Sequence, residues 1–485
     1  MCLVLLLRAE QRYFYRNLYL DTQVQLVATW HDALGHGQIT LHPDPADLSV
    51  AVAKSERIFM PGYGQAVYAV FRLTGDWLAA AYLVDVLALA LALGALAMLA
   101  RYLSLQGPLL LAWLLFLALA PAPWQYLAAS DLLGLGLFLW AAVALCYRPG
   151  LVGGLLALAL LGAATWVRAA YLGLLPLVPL YLLRDLRLRP WLVLGAAAAA
   201  LALALLAWQM QGDSFAKPQQ PGWYFAHLRH IDPFPFKAFF YYGLPHEVAL
   251  AARSPLAATL LRIAAPLLSL ALLAGAAYLS LRRGGRERRL GRLSALTLAL
   301  VLAMLAWLSL RWPPETWNWT GHWTFVMETR YYAPAMCLLL VLLFGLAAQG
   351  GGVARLLRAW VLLAVLVNAG FGLYWQGRLL HDRSGTFDVA AERAWLALAQ
   401  TLQRPGRPLL LARPDEVRLG ELAEAQTLAY ARALHPDSLH SSRPCDLVVA
   451  LAPGDSLHAP TLPPDTAGYW RGLPLLRVTL GPPGP

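Results

Sequence analysis

The sequence predicts a polytopic α-helical membrane protein with about ten or eleven transmembrane helices, followed by a small C-terminal α/β domain. Hydrophobic residues make up 59% of the 485 residues and charged residues only 13%, about half the charged share of a typical soluble domain. Long apolar segments recur up to residue 375, and the composition becomes mixed after it. We therefore expect a membrane domain over residues 1–375 and an extracytoplasmic domain over residues 376–485.

The apolar segments are candidates to cross a bilayer, for which a helix needs about 20 residues, or somewhat fewer where protein covers it. They cover residues 77–102, 108–127, 131–147, 151–167, 169–183, 190–210, 255–281, 293–310, 331–348 and 353–375. The fourth and fifth are short and are separated by Arg168. We expect these two to be partial helices that meet inside the protein. Residues 1–7 are apolar but too short to span and are interpreted as the end of a helix.

Arginines divide the connections between these segments into two classes. Alternate short connections carry Arg101, Arg148, Arg184, Arg355 and a cluster over residues 282–292. The positive-inside rule makes that face cytoplasmic, and it also explains the net charge of +11 without a nucleic-acid partner. The opposite face then receives the long loop 19–76, the loops 121–130, 211–254 and 311–330, which are rich in aromatic residues, and the C-terminal domain. A multi-pass protein of a bacterial inner membrane is expected.

The C-terminal region alternates apolar strands with amphipathic helices, which predicts a small α/β domain. The predicted strands cover residues 408–412, 446–451 and 473–480, and the predicted helices cover residues 388–403 and 415–434. About 100 residues suffice to bury a modest hydrophobic core.

Four charged residues lie at the predicted outer boundary of the membrane. Asp21 begins the first outer loop, Asp131 opens the third span, Arg168 separates two short spans, and Arg330 opens the ninth span. A carboxylate can accept the proton of an attacking hydroxyl, and an arginine can bind a phosphate leaving group. Simpler interpretations are a helix N-cap for Asp21, a favourable helix-dipole charge for Asp131, and interfacial snorkelling for the arginines.

Further motifs lie between these residues along the chain or include them. They are Gly35-His36-Gly37, Met60-Pro61-Gly62-Tyr63, Gly75-Asp76, Ser130-Asp131 and Arg330-Tyr331-Tyr332-Ala333-Pro334. Together with Asp21 and Arg168, this order over residues 1–375 resembles the GT-C class of polytopic glycosyltransferases. Within that class it is similar to the protein O-mannosyltransferases and the lipid A aminoarabinose transferases.

The resemblance implies an inverting transfer of a sugar from a polyprenyl-phosphate lipid to an unidentified acceptor hydroxyl or amine outside the cytoplasm. Asp21 would be the general base and Asp131 a second catalytic acid. Three arginines would bind the donor phosphate, namely Arg57, Arg168 and Arg330. Three aromatic residues would line the site, namely Tyr63, Trp124 and Tyr331.

The cofactor requirement stays open at this point. Some members of the class use a divalent metal near the phosphate, and the candidate ligands here are His31, His36, Glu56 and His227. Their spacing is not diagnostic, so no metal ligand is assigned. Two other functions remain open. One is a polytopic transporter or lipid flippase, a class in which ionisable groups near the midplane and repeated halves are expected. The other is an inactive GT-C-like assembly protein.

Overall fold

The computed structural model describes residues 1–14, 20–44, 47–55, 57, 59–120, 129–211, 254, 256, 275–276, 278–280, 282, 284–311 and 329–381, and five strands beyond residue 408. Packing divides the chain into two units. The first unit comprises Met1–Asn17, Tyr82–Gln209 and Phe215–Thr386, and the second comprises Leu18–Ala81, Met210–Ser214 and Phe387–Pro485. Most of the predicted outer loop lies in the second unit, and the division at residue 375 stays a prediction.

Helices dominate the described chain. In chain order they are α1 (Cys2–Phe14), α2 (Leu20–Ala33), α3 (Gly62–Thr74), α4 (Trp77–Tyr102), α5 (Gly107–Leu119), α6 (Ala129–Tyr147), α7 (Leu151–Val167), α8 (Leu177–Leu182), α9 (Leu188–Gln209), α10 (Arg286–Arg311), α11 (Thr329–Ala347) and α12 (Gly352–His381). Among the described residues, six helices are long and apolar enough to cross a membrane, namely α4, α6, α9, α10, α11 and α12. The polytopic helical class is therefore confirmed. Nearly all of the predicted span 255–281 lies outside the described residues.

The chain between α7 and α8 is interrupted at Arg168, as the sequence predicted. Arg168 has an extended backbone, with φ −151° and ψ 121°, and it ends α7. A 3-10 helix over Ala169–Leu174 follows, and Pro176 precedes α8. Two short helical elements therefore replace one continuous span, and the arginine lies at the break between α7 and the 3-10 helix.

Small residues allow the helices of the first unit to pack closely. A Cβ atom added to Gly136 of α6 would lie 3.2 Å from the carbonyl oxygen of Ala88 in α4. One added to Gly372 of α12 would lie 1.8 Å from the carbonyl oxygen of Leu119 in α5. Glycine at such contacts brings two helix backbones together, which is typical of membrane helix packing.

Alternate helix connections meet at one end of the first unit. Arg286 Nη1 donates to the carbonyl oxygen of Tyr102 over 3.2 Å, and Arg292 Nη2 lies 2.5 Å from Asp185 Oδ2. These contacts join the ends of α4 and α8 to the start of α10, and we call this region the arginine end.

At the other end of these helices, Asp131 and Arg168 join the start of α6 to the end of α7. The start of α11 and the end of α5 also lie at that end, because the last turn of α11 is at the arginine end, where Gly345 contacts Leu103, and α5 begins there. We call this region the Asp131 end.

The N-terminal part of the second unit contains α2, α3 and an antiparallel hairpin of β1 (Ile39–Asp44) and β2 (Asp47–Ser55). The sequence analysis assigned no strands to this segment. Helices α2 and α3 touch so closely that a Cβ atom on Gly64 would lie 1.9 Å from Thr29 Oγ1. Gln25 Nε2 also donates to the carbonyl oxygen of Met60 over 3.0 Å. The segment is therefore a folded element with its own packing.

The C-terminal strands form one mixed sheet. They are β3 (Leu409–Ala412), β4 (Gln426–Thr427), β5 (Cys445–Ala450), β6 (Asp465–Trp470) and β7 (Leu473–Leu480), in the order β4-β3-β5-β7-β6. Strand β3 runs parallel to β4 and β5, and β7 runs antiparallel to β5 and β6. The three predicted strands correspond to β3, β5 and β7. The predicted helix 415–434 is wrong at β4, and the rest of both predicted helices lies outside the described residues.

Candidate active site

A buried ion pair joins two of the residues that the sequence singled out. Asp131 lies in the first turn of α6, and Arg168 directly follows α7. Arg168 Nε is ion-paired with Asp131 Oδ1, and Arg168 Nη1 lies 3.4 Å from Ser130 Oγ. The two side chains are only 9% and 6% exposed, and Ser130 is fully buried. The structure thus brings a carboxylate and a guanidinium together inside the protein.

Local structure explains why these residues meet although 37 positions separate them in sequence. Helices α6 and α7 pack against each other and are joined by the short connection 148–150. They have 19 and 17 residues, so both are about 25–30 Å long at 1.5 Å per residue. Antiparallel helices of matched length place the start of one beside the end of the other. The ion pair follows from that geometry.

The surroundings of the pair include a helix terminus and a tyrosine. The N-terminus of α6 carries a partial positive charge that stabilises the Asp131 carboxylate. Tyr171, in the 3-10 helix, lies within electrostatic range of both Asp131 and Arg168. Its ring packs against Phe138, at 6.1 Å between centroids, and against Gly134. The sequence analysis did not single out Tyr171, although its position three residues after Arg168 was a usable signal.

Arg330 and Tyr331 lie in the first turn of α11, at the Asp131 end. The Arg330 guanidinium carbon lies 5.2 Å from the centroid of the Tyr331 ring, and both residues are half-buried. Helix α11 packs against α6, the helix that carries Asp131. The predicted aromatic residue therefore contacts the predicted phosphate-binding arginine.

The other described candidates belong to the second unit. Asp21 is the second residue of α2, and Tyr63 lies in the first turn of α3 with its side chain fully buried. Arg57 Nη1 donates to the side-chain oxygen of Gln211. Trp124 lies outside the described residues.

Sequence reasoning missed Arg8, which is a buried arginine of α1. It is only 4% exposed, its Nε donates to the carbonyl oxygen of Leu117 over 2.7 Å, and its Nη2 donates to that of Ala120. Carbonyl groups in the last turn of a helix lack partners within the helix, and a cation there is favoured. Arg8 therefore caps the C-terminal end of α5. Its place in the apolar run of residues 1–9 was the only signal in the sequence.

The candidate metal ligands include one pair of neighbouring histidines. The described residues contain no group of three or more His, Cys, Asp or Glu side chains that would hold a metal ion. The rings of His31 and His36 are 6.1 Å apart. Burial, and then the proximity of His36, lowers the pKa of His31 and favours the neutral form that binds metals. Glu56 and His227 lie outside the described residues, so a divalent metal stays a prediction.

Comparison with known proteins supports the fold. No family model and no curated protein matches the chain. Among solved structures, it is similar to ArnT from Cupriavidus metallidurans bound to undecaprenyl phosphate, with 14% identity, a TM-score of 0.50 and coverage of 98% of this chain and 97% of that chain.

The apo state of the same ArnT matches with 14% identity and a TM-score of 0.49 over 96% and 94% of the two chains. The archaeal oligosaccharyltransferase AglB from Archaeoglobus fulgidus matches with 12% identity and a TM-score of 0.41 over 89% of this chain and 65% of that one. The similarity to undecaprenyl phosphate-bound ArnT extends over both chains. The protein thus has a GT-C-like membrane fold, as the sequence resemblance implied.

Proposed function

We propose that this protein is an inverting glycosyltransferase that moves a sugar from a polyprenyl-phosphate lipid to an acceptor hydroxyl or amine outside the cytoplasm. The buried pair of Asp131 and Arg168 carries this proposal. A fold alone does not determine an activity. The ArnT structure contains undecaprenyl phosphate, and the pair supplies this chain with a group that is suited to such a phosphate.

Arg168 suits the phosphate because of how Asp131 holds it. A guanidinium has five N–H donors in a fixed planar fork, so an arginine oriented through Nε can also bind an oxyanion through its terminal nitrogens. Exclusion of water strengthens these charge-assisted hydrogen bonds. We therefore assign Asp131 the role of positioning Arg168 instead of the role of a second catalytic acid, because its carboxylate is already engaged by Arg168 Nε.

The reaction then divides between a base and the phosphate-binding residues. Asp21 takes the proton from the acceptor, whose oxygen or nitrogen attacks the anomeric carbon of the sugar. The bond between that carbon and the phosphate oxygen breaks, and polyprenyl phosphate leaves with the bonding electrons. Arg168 and Arg330, with Arg57, stabilise the negative charge of the leaving phosphate. Attack from the face opposite the leaving group inverts the anomeric configuration.

Binding of undecaprenyl phosphate tests the role of Arg168 directly. The full-length protein in detergent is titrated with this lipid and bound lipid is counted by native mass spectrometry. We expect Arg168→Ala to weaken binding about tenfold or more, because a hydrogen bond to a charged group contributes about 1.5–3 kcal/mol. Arg148→Ala, an exposed arginine between α6 and α7, is the matched control. Equal binding by both variants would contradict the assignment of Arg168.

Turnover tests the class of function. Proteoliposomes receive radiolabelled undecaprenyl-phosphate monosaccharides and a membrane extract as the source of acceptor. We expect release of undecaprenyl phosphate by the wild type, and none above background by Asp21→Asn, whose amide cannot accept the proton. Movement of intact donor across the bilayer without cleavage would identify a transporter. Binding without cleavage or movement would favour the inactive assembly protein.

A further inference from the structure

A cavity of about 1050 Å³ opens at the arginine end of the first unit. Its described walls come from the α8 segment, α10 and α11, from the end of α4, and from Ala276 and Ser280. The charged residues among its described lining are Arg184, Arg286, Arg288, Arg289, Arg292 and Asp185. Five arginines against one aspartate make this rim strongly positive.

The positive rim is only partly neutralised by the protein. Asp185 pairs with Arg292, and both side chains are about a quarter exposed, at 26% and 27%. Arg184, Arg288 and Arg289 are exposed residues of the rim. The described lining therefore has more positive charge than Asp185 balances, and an anion would be attracted to the cavity.

Below the arginines the wall of the cavity is apolar. Leu180 and Leu183 of the α8 segment are 42% and 53% exposed, and Ala295, Leu296 and Leu339 continue the wall along α10 and α11. A free inorganic anion gains nothing from such a wall. A hydrocarbon chain gains about 25 cal/mol for each Å² of apolar surface that it removes from water.

We propose that this cavity binds an anionic phospholipid from the leaflet at the arginine end. Its phosphate contacts the arginines of the rim, and an acyl chain lies along the leucine and alanine wall. Basic pockets between transmembrane helices are suited to anionic lipid head groups. The positive-inside rule accounts for arginines at this face but not for a cavity among them. Three other arginines of the same predicted face do not line the cavity, namely Arg148, Arg187 and Arg355. This site lies at the opposite end of the helices from Asp131 and Arg168. Lipid binding here is independent of the proposed sugar transfer.

Two triple variants of equal charge test the proposal in the full-length protein. The cavity variant combines Arg184→Gln, Arg288→Gln and Arg289→Gln. The control combines Arg148→Gln, Arg187→Gln and Arg355→Gln, which are exposed positions outside the cavity lining. Native mass spectrometry compares retention of phosphatidylglycerol with that of phosphatidylcholine. We expect the wild type and the control to prefer phosphatidylglycerol, and the cavity variant to retain it at least tenfold more weakly.

Three results would overturn the proposal. Equal losses in the two triple variants would show a general effect of surface charge. Competition by inorganic phosphate at the same concentration as the lipid would show a site for soluble anions. The variant Ala295→Trp fills the apolar wall without changing the charge and should also weaken retention of phosphatidylglycerol. Unchanged retention in that variant would contradict binding of an acyl chain along the apolar wall.

Discussion

The two ends of the first unit use ion pairs in very different surroundings. At the Asp131 end, the side chains of Arg168 and Asp131 are 9% and 6% exposed, whereas Arg292 and Asp185 at the arginine end are 27% and 26% exposed. An exposed pair contributes about 0–1 kcal/mol, because water solvates both charges when they separate. Removal of one partner from a buried pair costs about 3–5 kcal/mol, because a charge stays buried without compensation. The same two residue types thus have different energetic consequences, and access of water decides which applies.

The largest effect that we expect comes from Asp131→Ala. It leaves the Arg168 charge buried without its carboxylate, so the free energy of unfolding should fall by about 3–5 kcal/mol. Urea unfolding of the full-length protein in detergent, followed by tryptophan fluorescence, measures the change. The double variant Asp131→Leu with Arg168→Met removes both charges and should recover most of the stability, while its binding of undecaprenyl phosphate should stay about tenfold or more weaker than that of the wild type. A loss below about 1 kcal/mol for Asp131→Ala would mean that water reaches the pair.

A smaller effect is expected where α12 touches α5 near the Asp131 end. In Gly372→Ala the new methyl group would meet the carbonyl oxygen of Leu119, at 1.8 Å before any adjustment. Overpacking of this kind costs about 1–3 kcal/mol. Gly370→Ala on the same helix is the matched control, because its Cβ atom would meet no heavy atom within 4 Å, and it should be neutral or stabilising by up to about 1 kcal/mol. The same unfolding measurement compares them, and equal destabilisation would contradict the close helix contact.

The smallest effect is expected at the arginine end. Asp185→Ala breaks the pair with Arg292, and we expect a loss of about 0–1 kcal/mol that shrinks further in 0.5 M salt, where the Debye length is only about 4 Å. Arg292 keeps its hydrogen bond to the carbonyl oxygen of Tyr181, at 2.6 Å. A loss as large as that of Asp131→Ala would show that the two ends do not differ in the way that exposure indicates.

Part of the fold and of the candidate site could be predicted from local sequence. Apolar length gave α4 and α7 with their observed ends, and a charge in an apolar run gave the break at Arg168. Asp131 and Arg168 meet because a short connection joins two helices of similar length. Both the connection and the helix lengths can be read from the sequence. The chemical roles of these residues remain predictions.

Other features left a weaker signal in the sequence, or one that does not identify the partner. Arg8 binds backbone carbonyl groups of Leu117 and Ala120, and every residue type has a carbonyl group. The hairpin of β1 and β2 includes Pro43 and borders a second proline at position 45, and these obscure its alternating pattern. Strand β4 is two residues long and pairs with β3. Its extended conformation therefore depends on this tertiary pairing, which the local sequence does not show.

The hydrogen bonds of Arg8 also have a consequence for biosynthesis. Their acceptors lie 109 and 112 residues further along the chain, so the ribosome completes α1 well before it reaches the end of α5. Until then the guanidinium has neither of these two carbonyl partners. Arg8 can therefore cap the C-terminal end of α5 only after α5 has been synthesised, and α1 completes its native contacts with α5 after that point.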